Sequence, residues 1–464
     1  MKNFITYFSL TFFQKGISFI MLPIYTMILS PSEFGIFNQI IAITTIFILL
    51  LTFGLDDSAA KHYFDSDSED LKSNTLSTSF IICITASILG SFILFFLKDI
   101  IFASIVDDIT LEMMIATIII ISTGPTYLIY QKILRIKEKA KEFSILSLFY
   151  LVGQVSLAIL FIEVFDLNAF GLLLSHSILA FCMFIYCLIR LIKKFNFSYD
   201  KKQSKKLLKY SSKVAPHKIA GWGLTGFSIT IMGYYLGSSA IGIFGAVAFL
   251  GIIVDTLNKA FELSYQPWIY NQLNDKKNGI KKIIHATKTL SIVFIALSAF
   301  LTFFSKEFIE ILIDERYHDG IILAPLIIAG SISVLFGSLF TFILYYKEDL
   351  TLYASKATII SGTCNIILSI IMIPKFGIIG GVASLTIAKM LYCWYKQYHA
   401  WKNINSSIYS FIYFYFFCIV IMILGTYFIQ NSTPFFPRLI LIATILFVTY
   451  FRYRNWIFNF LKTQ

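Results

Sequence analysis

The sequence predicts an all-α polytopic membrane protein with about 14 transmembrane helices, because apolar stretches long enough to cross a hydrocarbon core of about 30 Å recur along the chain. Its 464 residues are 57% hydrophobic and 14% charged, whereas soluble domains carry about 25% charged residues. In addition, Lys and Arg are concentrated in the loops on one side of the membrane. These three observations exclude a soluble globular fold.

The predicted spans follow the apolar runs from one end of the chain to the other. They cover residues 5–28, 35–55, 75–97, 112–131, 144–164, 168–190, 211–235, 239–263, 284–304, 321–345, 352–374, 378–395, 409–429 and 436–452. The longest connections, around 191–210 and 264–283, have about 20 residues each, which is too short for a folded catalytic domain. The protein is therefore expected to act through its membrane helices.

Positive charge predicts the side of the membrane on which each loop lies. With the N-terminus inside, the 38 Lys and Arg residues divide into 30 inside, five outside and three within spans. The outside residues are Lys98, Lys306, Arg316, Lys375 and Arg438, and those within spans are Lys15, Lys218 and Lys389. Both termini are therefore expected to be cytoplasmic.

The net charge of +12 does not indicate a nucleic-acid partner. The basic residues are concentrated in the short loops Arg135–Lys141, Arg190–Lys213 and Lys276–Lys288, where they orient the spans beside anionic lipid. All six cysteines lie within spans and have no paired ligand spacing, so neither a disulfide framework nor a zinc site is suggested. No metal or cofactor is expected.

An internal repeat organises the predicted helices. Residues 29–37 align without a gap on residues 236–244, an offset of 207, with Gly35-Ile36-Phe37 matching Gly242-Ile243-Phe244. At an offset of 210, Ile133-Leu134 and Lys137-Glu138 match Ile343-Leu344 and Lys347-Glu348. The repeat predicts two parallel six-helix lobes around a central cleft, 1–190 and 211–400. A basic linker, 191–210, joins them, and a helix pair with a cytoplasmic tail, 401–464, follows.

Charged residues within spans predict where the cleft lies, because an isolated charge in hydrocarbon costs at least ~2.5 kcal/mol. When the repeat offset of 207 is subtracted, Lys218 corresponds to position 11, which is four residues, or about one helical turn, from Lys15. Lys389 lies alone in the twelfth span. We expect these three lysines to face the cleft and to bind an anionic group there. The alternative for Lys218 and Lys259, near the cytoplasmic ends of their spans, is snorkelling to the membrane surface.

Further polar residues within spans are candidates for the cleft or for ion coupling. They are Gln14, His176, Asp255, Lys259, Glu262 and Asn365. Asp255, Lys259 and Glu262 share one helix face at spacings of four and three, and are expected to neutralise one another in part. His176 could couple transport to protons. The alternative for Gln14, His176 and Asn365 is hydrogen bonding between helices.

Four stretches of the sequence resemble the polysaccharide repeat-unit (Wzx-type) flippases of the multidrug/oligosaccharidyl-lipid/polysaccharide exporter superfamily. They are Leu22–Gly35; Leu207–Pro216; Phe261–Tyr270 with Pro267-Trp268; and the run from Tyr317 through Ala324-Pro325, Tyr346-Lys347, Asn365 and Ile373-Pro374-Lys375-Phe376-Gly377 to Gly380-Gly381-Val382-Ala383. The similarity covers roughly residues 1–400. One departure is Ser228-Ile229, where many relatives have an Asp-Arg pair, so a mechanism that relies on this pair is not expected.

The resemblance implies a flippase, not an enzyme. Its cargo would be an undecaprenyl-diphosphate-linked oligosaccharide, moved by alternating access from the inner to the outer leaflet of the bacterial plasma membrane. This step serves the synthesis of surface polysaccharides such as the O-antigen of lipopolysaccharide, capsule or exopolysaccharide. Lysines in the cleft would neutralise the diphosphate, and the isoprenoid tail would follow lipid or a groove along residues 409–452. Membrane lipids and a polysaccharide polymerase are further expected partners, and a monomer is expected because each chain supplies both lobes.

Three other functions remain open from the sequence, and one of them, a purely structural or scaffolding role, is supported only by the absence of catalytic motifs. A drug/cation antiporter of the same superfamily should present acidic residues in the cleft, whereas the clearest charges within spans are lysines. A membrane-embedded polymerase or glycosyltransferase generally needs a sizeable outside loop. The outside segments 98–111 and 305–320 are short, although the second contains Asp314, Glu315 and Arg316.

Overall fold

The computed structural model of the chain describes residues 21–66, 68–194, 199–275, 277–346, 348–404, 412–430, 437–441, 443 and 444. This part of the chain is helical and contains no β-strand. Within it, eight helices are long and apolar enough to cross a membrane, or nine if one bent pair forms a single span. The protein is therefore an all-α polytopic membrane protein, as predicted.

The helices are numbered here from Pro31 onwards. They are α1 Pro31–Thr52, α2 Leu55–Phe64, α3 Glu69–Lys98, α4 Leu111–Ile136, α5 Ala140–Ile159, α6 Asn168–Lys194, α7 Lys201–Gly223, α8 Gly226–Leu236, α9 Ser238–Val247, α10 Phe249–Asn274, α11 Gly279–Phe303, α12 Ser305–Leu312, α13 Ala324–Tyr346, α14 Glu348–Ile404 and α15 Ile412–Gln430. Residues 21–28 are also helical. Most of the predicted spans 5–28 and 436–452 lies outside the described residues.

Several helices continue beyond the apolar runs that predicted them. Residues 201–210 and 264–274, assigned to cytoplasmic loops from the sequence, belong to α7 and α10. Hydropathy detects only the part of a helix that lies in hydrocarbon, whereas a helix can continue into water as long as its backbone hydrogen bonds are kept. At the start of α7, the Asp200 carboxylate accepts hydrogen bonds from the backbone N–H groups of Lys202 and Gln203, which caps the helix.

The long helix α14 is a hairpin of the two predicted spans 352–374 and 378–395. Gly377 has φ 59° and ψ −141°, which interrupts the helix. A β-carbon added to Gly380 would lie 2.3 Å from the carbonyl oxygen of Met372. Residues eight apart in a straight helix are separated by about 12 Å along the axis, so the chain must reverse between them. The Pro374–Gly377 segment makes this turn.

Contacts divide the chain into two compact units, Met1–Gly245 and Ala246–Gln464. The first unit contains two hydrophobic clusters. One includes Leu76, Ile129 and Met183, and the other includes Ile40, Met114 and Leu173. In the second unit α13 is buried on almost all sides, since 19 of its 23 residues are buried. The predicted lobe boundaries come from the repeat, a different criterion, and stay a prediction.

Within the first unit, the two copies of the repeat contact each other reciprocally. A β-carbon on Gly35 of α1 would lie 1.7 Å from the carbonyl oxygen of Ser238, and one on Gly242 of α9 would lie 1.8 Å from the carbonyl oxygen of Pro31. Positions 31 and 238, like 35 and 242, differ by the repeat offset of 207. Reciprocal contacts between equivalent residues are those that a local twofold axis generates. Only glycine allows the backbones to approach this closely.

The glycine crossing can be tested by alanine substitution. Gly35→Ala and Gly242→Ala each place a β-carbon against a backbone carbonyl, and overpacking of this kind costs about 1–3 kcal/mol. We expect each variant to lower the Tm of the detergent-solubilised protein by about 3–10 °C. Gly221→Ala is the control, because no atom lies within 4 Å of its added β-carbon. Equal melting temperatures for all three variants would contradict the close crossing.

Cysteine labelling tests the predicted sidedness. Ser204 lies in a predicted inside loop but is buried, so its failure to react would carry no information about topology. Ser212 and Ser104 are exposed on the predicted inside and outside, respectively. In a cysteine-free background, an impermeant thiol reagent applied to intact cells should label Ser104→Cys and spare Ser212→Cys, which should react after permeabilisation. The reverse pattern would overturn the topology.

Candidate functional site

Four charged side chains meet in the first unit where α1 ends and α2 begins. The Lys218 Nζ of α7 lies 2.6 Å from Asp56 Oδ1 and 2.8 Å from Asp57 Oδ2. The Lys132 Nζ of α4 lies 2.7 Å from Asp57 Oδ1. Two ammonium groups are therefore balanced by two carboxylates. We call Asp56, Asp57, Lys132 and Lys218 the charge cluster.

The backbone break between α1 and α2 positions the carboxylates. Phe53 and Gly54 both have positive φ, 47° and 72°, which ends α1 and starts α2 in a new direction. Asp56 and Asp57 then fall in the first turn of α2, where the helix dipole favours negative charge. The Ser58 hydroxyl donates a hydrogen bond to the Leu207 carbonyl at 2.9 Å, which ties α2 to α7. The break thus brings both carboxylates to Lys218.

The charge cluster is only partly shielded from solvent, since its side chains are 21–35% exposed. Separating such a pair without a replacement leaves poorly solvated charges and is therefore costly. The sequence predicted that Lys218 binds an anion. In this conformation its ammonium group forms salt bridges with two carboxylates of the protein. An incoming anion would have to replace Asp56 and Asp57 as the counterion.

A separate acidic site in the first unit joins α4, α5 and α6. Glu142 Oε1 accepts hydrogen bonds from the hydroxyls of Tyr130 and Tyr186, at 2.7 and 3.2 Å, and from Arg190 Nη2 at 3.0 Å. Arg190 also lies over the Tyr186 ring. Every group in this network contacts another member, which indicates a structural clamp between three helices.

The other sequence candidates of the first unit have plainer surroundings. His176 Nδ1 lies 2.9 Å from the Leu172 carbonyl oxygen, and the imidazole packs against Phe37 at a centroid distance of 5.2 Å. Leu172 lies one turn earlier on α6, so this contact is not the hydrogen bond between helices that was the alternative for His176. Coupling of transport to protons through His176 stays a prediction. Lys15 and Gln14 lie outside the described residues.

Lys389 of the second unit lies between α14 and α13. Its Nζ is 3.4 Å from Ser331 Oγ, and its alkyl chain packs on Gly330, whose added β-carbon would lie 3.2 Å from Lys389 Cδ. Asp255 is near enough to act on it electrostatically. The buried Asn365 accepts a hydrogen bond from the Ser369 hydroxyl at 3.4 Å, an interaction within α14.

The mutual neutralisation expected of Asp255, Lys259 and Glu262 is not observed. Among the described residues, no carboxylate–ammonium distance of 4.0 Å or less joins them. Glu262 Oε1 instead accepts hydrogen bonds from Ser338 Oγ at 2.6 Å and Asn258 Nδ2 at 3.4 Å. The spacing put the three residues on one face, but α13 supplied a closer partner for Glu262.

Lys396 was not identified from the sequence, because it directly follows the predicted span 378–395 and was counted with the next loop. In the structure Lys396 is buried, with 4% of the residue exposed. Its Nζ lies 3.0 Å from Thr341 Oγ1 and contacts the Tyr392 hydroxyl. Lys389 and Lys396 are seven residues apart, so both face α13. Asp56, Asp57 and Lys132 were also missed because they too lie just beyond predicted spans; the Gly54-Leu55-Asp56-Asp57 sequence was the available signal.

A predominantly apolar groove of about 460 Å³ lies in the second unit between α13, α14 and α15. Its lining residues are Ile322, Leu326, Ile379, Met422, Ile423, Thr426, Tyr427 and Gln430. In the predicted topology these positions fall near the outer ends of their spans. Among the described residues, no group of three His, Cys, Asp or Glu side chains is placed to hold a metal ion.

Known structures share the fold of this chain. Lipid II flippase MurJ in an inward closed conformation superposes with a TM-score of 0.72 at 15% identity, covering 97% of this chain and 99% of that one. An inward-facing multidrug resistance MATE family transporter of the MOP superfamily gives 0.68 at 12% identity, with coverage of 85% and 96%. A MOP superfamily transporter from Pyrococcus furiosus gives 0.54 at 15% identity, with coverage of 86% and 92%. At these identities the likeness establishes the fold alone.

Sequence comparison gives the family. No curated protein shows significant sequence similarity to the chain. Residues 1–273 match the family described as polysaccharide biosynthesis protein. That match spans more than half of the 464 residues, and it confirms the resemblance on which the sequence prediction rested. The chain therefore belongs to the polysaccharide biosynthesis protein family and has the α-helical fold that MurJ shares with MATE transporters.

Proposed function

We propose that the protein is a flippase for saccharides linked to undecaprenyl diphosphate, acting in a bacterial plasma membrane with both termini in the cytoplasm. Its cargo is the repeat unit of a surface polysaccharide such as O-antigen, capsule or exopolysaccharide. The family match and the MurJ-like fold support the class of reaction, because MurJ is by its name a flippase of a lipid-linked substrate. Transport by such a flippase requires no bond to be made or broken.

The charge cluster is the observation that carries the proposal. A diphosphate has more negative charge than a carboxylate, so it competes well for an ammonium group in a partly desolvated site. Lys218 already holds two carboxylates at 2.6–2.8 Å, which shows that its ammonium group is placed to receive two anionic oxygens together. In the proposed mechanism the diphosphate displaces Asp56 and Asp57 from Lys218. Lys15 and Lys389 remain proposed further contacts.

The apolar groove of the second unit supports the lipid part of the proposal. An isoprenoid tail is a flexible hydrocarbon, and a groove lined by Ile322, Leu326, Ile379 and Ile423 offers it apolar contact without displacing charged groups. Since α15 supplies five of the eight lining residues, this location agrees with the tail path predicted along residues 409–452. The tail then stays at the lipid boundary while the polar headgroup crosses.

An antiporter of organic cations is the second candidate, and Asp56 and Asp57 are the observation that favours it. Carboxylates within a membrane unit are the groups that a cationic cargo would need. In this structure, however, both carboxylates are neutralised by lysines of the same unit. A cationic cargo would therefore have to displace two lysines, whereas an anionic cargo displaces carboxylates.

Two substitutions of opposite charge test the counterion exchange. Lys218→Gln removes a charged contact worth about 1.5–3 kcal/mol, so we expect affinity for undecaprenyl diphosphate to fall about ten- to a hundredfold. Asp56→Asn removes a competing carboxylate, so we expect affinity to rise. Binding of the radiolabelled lipid to protein in nanodiscs measures both, and flipping in vesicles reports whether Lys218→Gln also loses transport.

The pair controls for structural damage, because both substitutions break the same ion pair and should lower the Tm similarly. A purely structural role predicts parallel losses of binding in the two variants, which would contradict the mechanism. Loss of transport in Asp56→Asn with retained transport in Lys218→Gln would favour the cation antiporter instead.

Filling the groove tests its role in holding the tail. Ile423→Trp places a large side chain in the groove, so transport of the C55 lipid should fall several-fold more than transport of a short-chain analogue. Ile419→Trp is the matched control, since Ile419 is an exposed residue one turn earlier on α15 and does not line the groove. The initial flipping rates of both lipids in vesicles give the comparison. Equal losses for the two chain lengths would exclude the groove as the tail site.

A further inference from the structure

A second group of polar side chains lies in the second unit, at one end of three helices. Glu262 of α10, Tyr345 of α13 and Tyr392 of α14 fall at the predicted cytoplasmic ends of the eighth, tenth and twelfth spans. Tyr345 lies close enough to Glu262, Tyr270 and Tyr392 to interact with them electrostatically. These residues are distant in sequence, so the packing of α10, α13 and α14 brings them together.

Tyrosine rings form the exposed part of this group. Tyr345 is 44% exposed and Tyr346 is 37% exposed. The ring of Tyr270 lies 5.8 Å from that of Tyr346, and the Tyr346 hydroxyl donates a hydrogen bond to Asn274 Oδ1 at 2.5 Å. The surface therefore combines aromatic faces with phenolic hydroxyls. We call Glu262, Tyr270, Tyr345, Tyr346 and Tyr392 the tyrosine cluster.

Polar groups beneath the rings leave hydrogen-bonding capacity unused. Among the described residues, both hydrogen bonds to Glu262 are accepted by Oε1, so Oε2 can accept a further one. Asn258 Oδ1 is buried and has no partner among the described residues. Lys396 Nζ contacts the Tyr392 hydroxyl and lies 3.8 Å from the centre of its ring. Because this hydroxyl oxygen accepts from an ammonium group, its own proton can be donated to another molecule.

An ordinary interfacial belt of Tyr and Trp does not explain the tyrosine cluster. Belt residues place an apolar ring against lipid and a polar tip in the headgroup region. A carboxylate such as Glu262 is costly at a lipid-facing surface unless it reaches water or a partner. Glu262 is half-buried, is hydrogen-bonded by Ser338 and Asn258, and lies near Tyr345, so this end of the helices combines a carboxylate with aromatic rings.

We propose that the tyrosine cluster binds the saccharide portion of the cargo on the cytoplasmic side, an inference that rests on the proposed function. A pyranose has an apolar C–H face, which packs on the negative face of an aromatic ring, and a rim of hydroxyls. The Glu262 carboxylate accepts from sugar hydroxyls, and the Tyr392 hydroxyl donates to them. Glu262 repels a diphosphate placed beside it, which favours the neutral sugar over the charged linker at this carboxylate.

Two lipids that differ only in the sugar test the inference. The probes are undecaprenyl diphosphate and the same lipid carrying one N-acetylhexosamine, with binding to purified protein in nanodiscs measured from Trp fluorescence. We expect the wild-type protein to bind the glycosylated lipid more tightly. Tyr345→Ala should weaken that binding about tenfold and leave the affinity for undecaprenyl diphosphate unchanged. Tyr345→Phe keeps the ring and should retain most of the binding.

Conservative and distant variants complete the design. Glu262→Gln is nearly isosteric. It should also weaken binding of the glycosylated lipid and leave binding of undecaprenyl diphosphate unchanged. Tyr234→Ala is the control, because Tyr234 is an exposed aromatic residue of the first unit. Equal losses for both lipids in Tyr345→Ala, or no preference for the sugar in the wild-type protein, would overturn the inference and leave the flippase proposal intact. Failure of the wild-type protein to bind either lipid would overturn the proposed function itself.

Discussion

A charge within a membrane needs a counter-charge, a hydrogen-bonding partner or water, and this constraint explains most of the polar contacts in the structure. In the first unit, Lys218 and Lys132 are balanced by Asp56 and Asp57. In the second unit, Lys396 is held instead by the hydroxyls of Thr341 and Tyr392. The first arrangement satisfies the charge with another charge, and the second leaves the positive charge without a carboxylate among its described hydrogen-bond partners. Both keep a cation where hydrophobic residues dominate.

The backbone meets a related constraint, because carbonyl and N–H groups released by a helix break also need partners in the membrane. The break at Phe53 and Gly54 also positions charged side chains. It starts a new helix whose first turn carries Asp56 and Asp57, and a β-carbon added to Gly54 would lie 3.5 Å from the side chain of Val214 on α7. The same local interruption thus supplies the carboxylates and the neighbour that bears their lysine. The break at Gly377 has a different role, because it connects the two arms of the α14 hairpin.

The proposed function depends on these charges being exchangeable and not merely tolerated. Side chains of the charge cluster that are 21–35% exposed can reach another ion without complete burial of either partner. A fully buried pair would be harder to open, because each charge would pass through a desolvated state. Partial exposure of the charge cluster therefore allows one anion to replace another at Lys218.

Sequence patterns were sufficient for the membrane class, most spans and the family, since hydropathy and loop charge are properties of consecutive residues. The repeat at offset 207 was also visible, and its glycines proved to contact each other. The partners of the lysines were not visible. Asp56 and Lys218 are 162 positions apart, and Lys396 and Thr341 are 55 apart. Such pairs arise from helix packing, so Lys218 was identified while its carboxylates were not, and Lys396 was assigned to a loop although packing buries it. The reason is physical: the cost of a charge in an apolar medium depends on its neighbours in space, which only the folded chain specifies.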